Sequence, residues 1–371
     1  MLISRRLIPL AAFAVGTVAL SACSGGGGGA ASPGAESPTT GAGVPRATAT
    51  PPNAPAAVLP TCYAPGTAIN GSPFPAKVDP AKDQVGKKST IAVVPATADV
   101  YVGTNNFVFG ITNTNNEPQP GAKVRATVYD LKDGKTTPVC QFEPLLSAPG
   151  VGPESNHTHA GGVQHIHGGE DASRVVYYAR VPFAREGPWG LAVEAILKDG
   201  SKTFGSVLLQ VGARPSVIAP GMPANRSDNL TKNDVKDIKE IDSGTPPNDM
   251  HDLKIKDVIA AGRPLVIVFS TPAFCQTLFC GPVNQEVEAL RDVYKDRVDF
   301  IHIEIWRDFV NKVINPTARE WLLTADGRIN EPIVFAVGKD GVIYDRWEGP
   351  AARNIMEASV KAIAEGAVYQ K

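Results

Sequence analysis

Between residues 91 and 211 the chain alternates short β-prone runs with turn residues. Runs at 91–94, 107–112, 123–130, 138–142, 174–181, 191–197 and 204–211 each read as a strand. Val124, Ala126 and Val128 alternate with Arg125, Thr127 and Tyr129, the period of two expected of a half-buried strand. Asn115-Asn116, Asp133-Gly134 and Asp199-Gly200 supply turns between them. This spacing predicts an immunoglobulin-like β-sandwich over residues 61–212. Further on, the period changes. An amphipathic stretch at 253–261 reads as a short helix, with His251 before it as a cap or surface residue, and 265–269 is a continuous apolar run, as in a strand buried on both faces. Val283, Val287, Leu290 and Tyr294 recur at helical spacing, and Pro282 suits the first turn of that helix. A second buried strand (298–305), a helix (316–323), two strands (333–337 and 342–347) joined by Gly338-Lys339-Asp340-Gly341, and a last helix (351–365) follow. The order β-α-β-α-β-β-α predicts an α/β domain over 249–371. Residues 213–248, rich in Pro, Ser, Asn and Asp, read as a linker.

The N-terminus has a different pattern. Arg5 and Arg6 precede an apolar run from Leu7 to Leu20 that is short for a membrane span, and it ends in Leu20-Ser21-Ala22-Cys23. Residues 1–22 are therefore expected to be a signal peptide. The four-residue ending resembles a bacterial lipobox, which implies lipid on Cys23 and anchoring to the extracytoplasmic face of a bacterial membrane. Residues 23–60, dominated by Gly, Ala, Pro, Ser and Thr, cannot bury enough apolar surface to fold and read as a disordered tether.

Composition narrows the chemistry. A net charge of -1 argues against a nucleic-acid partner. Besides Cys23 there are Cys62, Cys140, Cys275 and Cys280, and an exported chain can keep them as disulfides. Proximity favours Cys275 with Cys280, which leaves Cys62 with Cys140 as a structural pair. Four of the six histidines, His157, His159, His165 and His167, form two His-x-His pairs on a glycine-rich segment. Alternate residues of an extended segment face the same way, and imidazole suits copper or zinc, so this segment is a candidate metal site. Gly187-Pro188-Trp189-Gly190 resembles a stretch of small periplasmic sandwiches, some linked to copper handling.

Residues 265–365 resemble the thioredoxin-like superfamily. The resemblance is carried by Val268-Phe269-Ser270-Thr271-Pro272-Ala273-Phe274-Cys275, by Cys280 and Pro282 at a helix start, and by Glu331-Pro332 before a strand, where that family has a cis-proline. It implies an α/β thioredoxin-like fold and thiol–disulfide exchange on exported proteins bearing thiols or disulfides. Cys275 would attack, Cys280 would resolve, Pro332 would shape the partner groove, and no cofactor is required. Two departures stand out. Four residues separate the cysteines where the family has two, and Phe269 stands where thioredoxins carry a buried Asp. A second alignment places Phe279-Cys280-Gly281-Pro282-Val283 on the family motif and makes Cys280 the attacking thiol. The widened pair also resembles the Sco copper chaperones, although His302 lies too early for their histidine; His302 and Glu304 read as a satisfied polar pair in their strand. The rivals to exchange are a metal-binding protein or metallochaperone, and a binding protein with a structural disulfide.

Overall fold

A computed structural model describes residues 62–75, 89–150, 152–158, 164–169, 175–274 and 279–370. The expected signal peptide, Cys23, the whole tether, His159 and Cys275 lie outside the described residues. For the other three histidines of the candidate metal segment only the backbone is described.

The first half holds β1 (Ala92–Pro95), β2 (Gly103–Thr112), β3 (Lys123–Asp130), β4 (Thr137–Phe142), β5 (Leu145–Ser147), β6 (Gly152–Thr158), β7 (Gln164–Gly169), β8 (Val176–Phe183), β9 (Gly187–Ile196) and β10 (Lys202–Val211). They form two four-stranded antiparallel sheets, ordered β1-β2-β8-β5 and β10-β9-β3-β4, and a hairpin of β6 with β7. Phe107 and Phe109 of one sheet share a core with Val124, Val128, Trp189 and Leu191 of the other. Burying each such side chain contributes roughly 1.5–3 kcal/mol. Arg125 and Thr127, expected to face solvent, are buried as well. The reason is a cover: Cys62 is disulfide-bonded to Cys140, Gln141 donates to Thr67 O at 2.5 Å, and Arg125 donates to Pro75 O and to Glu194 at 2.6 Å. Segment 62–75 thus lies over the outer face of β3 and β4. The two sheets also approach at β1, where Thr90 and Ile91 donate to Phe204 O of β10.

The second half adds α1 (Ile255–Ala260), β11 (Leu265–Ser270), α2 (Cys280–Tyr294), β12 (Asp299–Glu304), β13 (Trp306–Asp308), β14 (Val313–Ile314), α3 (Pro316–Leu322), β15 (Ile333–Val337), β16 (Ile343–Glu348) and α4 (Arg353–Ala364). One sheet has the order β12-β11-β15-β16, and β13 pairs with β14. Val283, Val287, Ile355 and Val360 cover one face of the sheet; Val258, Ile259, Trp321 and Leu322 cover the other.

The fold class expected from the sequence is corrected. Among the described residues strand outweighs helix, 35% to 17%, and they are mostly β with sandwich-like sheets rather than an immunoglobulin-like sandwich joined to an α/β thioredoxin-like fold. Among the described strands, β11 and β12 alone form a parallel ladder. Hydrophobic period locates strands but does not say which way neighbours run, and α/β architecture depends on that direction.

The described part of Pro52–Lys371 is one compact unit. Val108, Val176 and Tyr178 of the sandwich-like sheets belong to the same apolar cluster as Val268, Val287 and Trp347. Polar clamps add to it. Arg346 of β16 pairs with Asp99 at 2.8 Å, Glu348 accepts from the backbone N–H of Ala98 at 2.8 Å and of Asp99 at 3.2 Å, and Asn106 donates to Asp345 and to Arg346 O, each at 2.7 Å. The stretch read as a linker buries Ile218, Ala219, Ala224 and Ile241, and it bonds to the start of β16 through Ile343 N to Met222 O and Gly221 N to Ile343 O, both 2.9 Å. No described helix is long and apolar enough to cross a membrane.

Candidate functional site

Strand β11 is apolar as far as Phe269 and then delivers two buried polar residues, Ser270 and Thr271, to its C-terminal end. The chain turns through Pro272, Ala273 and Phe274 and re-enters the described structure at Phe279, the N-cap of α2. Phe279 offers no side-chain cap, and Pro282 in the first turn lacks a hydrogen that would in any case be unpaired there. Cys280 is the first residue of this 15-residue helix, is fully buried and is disulfide-bonded; its partner sulfur lies outside the described residues. The Glu331–Pro332 peptide bond is cis. Phe274 is 47% exposed and stacks on Phe309 at 5.0 Å, and Trp306 meets Phe309 edge-on at 5.9 Å.

One helical turn after Cys280, Asn284 enters a buried polar network that the sequence reading did not assemble. Asp242 organises it. Its Oδ1 accepts from Gly244 N at 2.7 Å, and its Oδ2 accepts from Asn248 N and from His251 Nε2, both at 2.9 Å. Asn248 Oδ1 is held by Met250 N at 2.9 Å, so its Nδ2 is left to donate to His302 Nδ1 at 2.8 Å. On the other side of that ring, Nε2 lies 3.0 Å from Ser270 Oγ, which donates its hydrogen to Asn284 Oδ1 at 2.6 Å. These bonds together place the ring hydrogen of neutral His302 on Nε2 and a lone pair on Nδ1. Asp242 Oδ2 faces that lone pair at 3.4 Å, and the His251 and His302 rings are 5.0 Å apart. Glu304 accepts from Ser243 N at 2.8 Å, and Ala273 N donates to Ser243 Oγ at 3.1 Å, which ties the network to the turn leading towards Cys275.

The electrostatics follow from burial and proximity. Burial works against the Asp242 carboxylate, but His302 and His251 outweigh it and hold the group well below the usual carboxylate range. Burial pushes His251 down, and the bond to Asp242 offsets part of this. Burial also opposes charge on His302, yet Asp242, aided by Glu304, raises its pKa. A groove of about 400 Å³ reaches the network from outside, lined by Asp242, Ser243, Asn248, Pro272, Gly281 and Asn284.

The expected site residues are only partly brought together. Cys280 is placed at the helix start, while Cys62 and Cys140 lie in the sandwich-like half and bond to each other. His157 and His165 are cross-strand partners in the β6–β7 hairpin, and His167 is opposite Ser155. His251, read as a cap or surface residue, is instead 2% exposed and bonded to Asp242. His302 and Glu304 are both buried, and their partners come from residues 242–251, 270 and 284 rather than from each other. A histidine between Ile301 and Ile303 in an apolar strand was the available signal, because a buried imidazole needs partners. Asp242 and Asn284 carried none.

No family model matches the chain, and no curated protein matches it significantly. Among solved structures, a DUF4426 family protein from Pseudomonas aeruginosa PAO1 aligns at 12% identity over 35% of this chain and 98% of its own, with a TM-score of 0.18. The outer membrane decaheme cytochrome OmcA aligns at 12% identity over 36% of this chain and 25% of its own, also at 0.18. MtrC from Shewanella baltica OS185 aligns at 14% identity over 36% of this chain and 24% of its own, at 0.18. The chain spans about a quarter of the length of OmcA and of MtrC. At these scores the likenesses carry no argument about function.

Proposed function

We propose that this chain is a lipid-tethered extracytoplasmic protein that exchanges thiols and disulfides with exported proteins, using Cys275 and Cys280. The observation that carries the reading is Cys280: a disulfide-bonded cysteine, sealed from solvent, at the first residue of a long helix that has no side-chain cap. Unpaired N–H groups and the helix dipole at such a position favour thiolate over thiol. In the reduced protein, the Cys275 thiolate attacks a partner disulfide and expels one partner sulfur as thiolate. Cys280 then attacks the Cys275 sulfur, releases the partner as a dithiol and closes the Cys275–Cys280 disulfide. The exposed Phe274 next to Cys275 offers an apolar contact for partner chain. The anchor in this reading is lipid on Cys23.

Thiol trapping of the full chain across buffers of set potential tests it. A reversible Cys275–Cys280 couple between about -120 and -270 mV supports exchange; a pair that stays oxidised below about -300 mV marks a structural disulfide and ends the reading. A second reading, copper or zinc at His157, His159, His165 and His167, is favoured by the hairpin register that pairs His157 with His165. Deleting residues 156–169 should then abolish metal uptake by that segment while leaving exchange intact.

A further inference from the structure

We infer that Asp242, His251 and His302 form a binding site for one divalent transition-metal ion of the zinc class, separate from the histidine hairpin and from the cysteines. The three residues come from two distant stretches of chain, yet one ligand atom from each of Asp242, His251 and His302 lies within 4.8 Å of the other two. Two imidazole nitrogens and one carboxylate oxygen with a fourth position left open is a recurrent zinc donor set. Bonds of about 2.0–2.1 Å at tetrahedral angles put neighbouring donors roughly 3.3 Å apart. The carboxylate oxygen is already 2.9 Å from one nitrogen and 3.4 Å from the other.

The surroundings are those of a held ligand set. His302 is oriented from its far nitrogen by Ser270, which is itself fixed by Asn284, the outer-shell arrangement that aims a ligating imidazole. Asp242 has its Oδ1 occupied by Gly244 N–H, and Oδ2 is the oxygen that faces both rings. His302 Nδ1 and that oxygen lie 3.4 Å apart, and the donors that now satisfy them, the Asn248 amide on one and His251 Nε2 on the other, are what an ion would replace. Binding requires two changes. His251 moves its ring hydrogen from Nε2 to Nδ1, and the Asn248 amide, which now donates to His302 Nδ1, swings aside. Asn248 and Asp242 both line the open groove, so that movement opens the entry path and leaves room for water at the fourth position.

The experiment uses the full chain with His157, His159, His165 and His167 replaced by Ala, stripped with a chelator and titrated with zinc alone, then with cobalt as a spectroscopic probe. The expected result is one equivalent of zinc bound, a rise in melting temperature on binding, and visible cobalt bands of a low-symmetry four-coordinate site. Ser270→Ala should weaken zinc about 10–100-fold, and His302→Gln should weaken it further. No stoichiometric uptake by the four-histidine variant overturns the inference, as does uptake unchanged by His302→Gln. If His302→Gln fails to fold, the cobalt spectrum and the Ser270→Ala titration decide it in the same two directions.

Discussion

Replacing Arg346 with Met should loosen both halves of the molecule at once. Arg346 and Asp99 are only 5% and 6% exposed and meet at 2.8 Å. Arg346 also donates to Ile218 O at 3.1 Å and to Asp99 O at 3.3 Å, while Asp99 Oδ1 accepts from Ser216 N at 2.9 Å and from its hydroxyl at 2.6 Å. Arg346→Met leaves the Asp99 carboxylate buried with neutral donors and no cation. Removing one member of a buried pair costs about 3–5 kcal/mol, whereas replacing both is often close to neutral. At about 2–3 °C per kcal/mol for a chain of this size, the single variant should melt roughly 6–15 °C lower. Arg346→Met combined with Asp99→Asn should recover a large part of that loss, since no charge is stranded. Scanning calorimetry and near-ultraviolet circular dichroism provide the assay. The reasoning requires a single transition that shifts as a whole, because Asp99 lies in the sandwich-like half and Arg346 in the second sheet. An unshifted transition, or a split in which one part stays at the original temperature, would refute it.

Other outcomes follow from single features. Removing the Cys62–Cys140 bond with a double Ser replacement opens a loop of 78 residues in sequence and should cost about 4.5 kcal/mol by loop entropy, read as a lower denaturant midpoint. Gly205→Ala would put a methyl 2.5 Å from Ile91 O, where β10 and β1 cross, and should destabilise by about 1–3 kcal/mol in the same assay. Glu286 is raised from its ordinary value by burial, only partly opposed by N–H bonds from Gly150 and Arg353. The folded state therefore holds that proton more tightly than the unfolded one. The resulting stability is present below pH 4.5 and is lost as pH rises through the raised value. Glu286→Gln should flatten that slope, and an unchanged pH profile would show that Glu286 does not titrate in this way.

Much of the local structure was readable from the chain. The apolar run ending at Phe269, the Val283–Val287–Leu290–Tyr294 stripe and the strand at 333–337 all appear where the periodicity put them. What the periodicity could not carry was pairing direction and company. Arg125 is buried because a segment fifty residues earlier folds over it, and Ile218 and Ile241 are buried because a proline-rich stretch lies along the second sheet. The Asp242–His251–His302 cluster is illegible for the same reason. His251 alone reads as a surface or cap position and His302 as paired with Glu304, and the convergence depends on the turn that wraps Asp242's carboxylate and on the sheet that sets Ser270 near His302.

The aromatic stack of Phe274, Phe309 and Trp306 offers an optical reporter. Trp189, Trp321 and Trp347 are sealed in apolar cores, so their emission should be blue-shifted and indifferent to events at the surface. Trp306 alone among the four is half-buried, and it rests on Phe309, which in turn holds Phe274, the neighbour of Cys275. Any change of covalent state that moves that neighbour alters the surroundings of one indole and leaves the other three as an internal reference. In the exchange proposed above, the state of the pair could then be followed in real time by the colour of the protein's own fluorescence, with no dye attached.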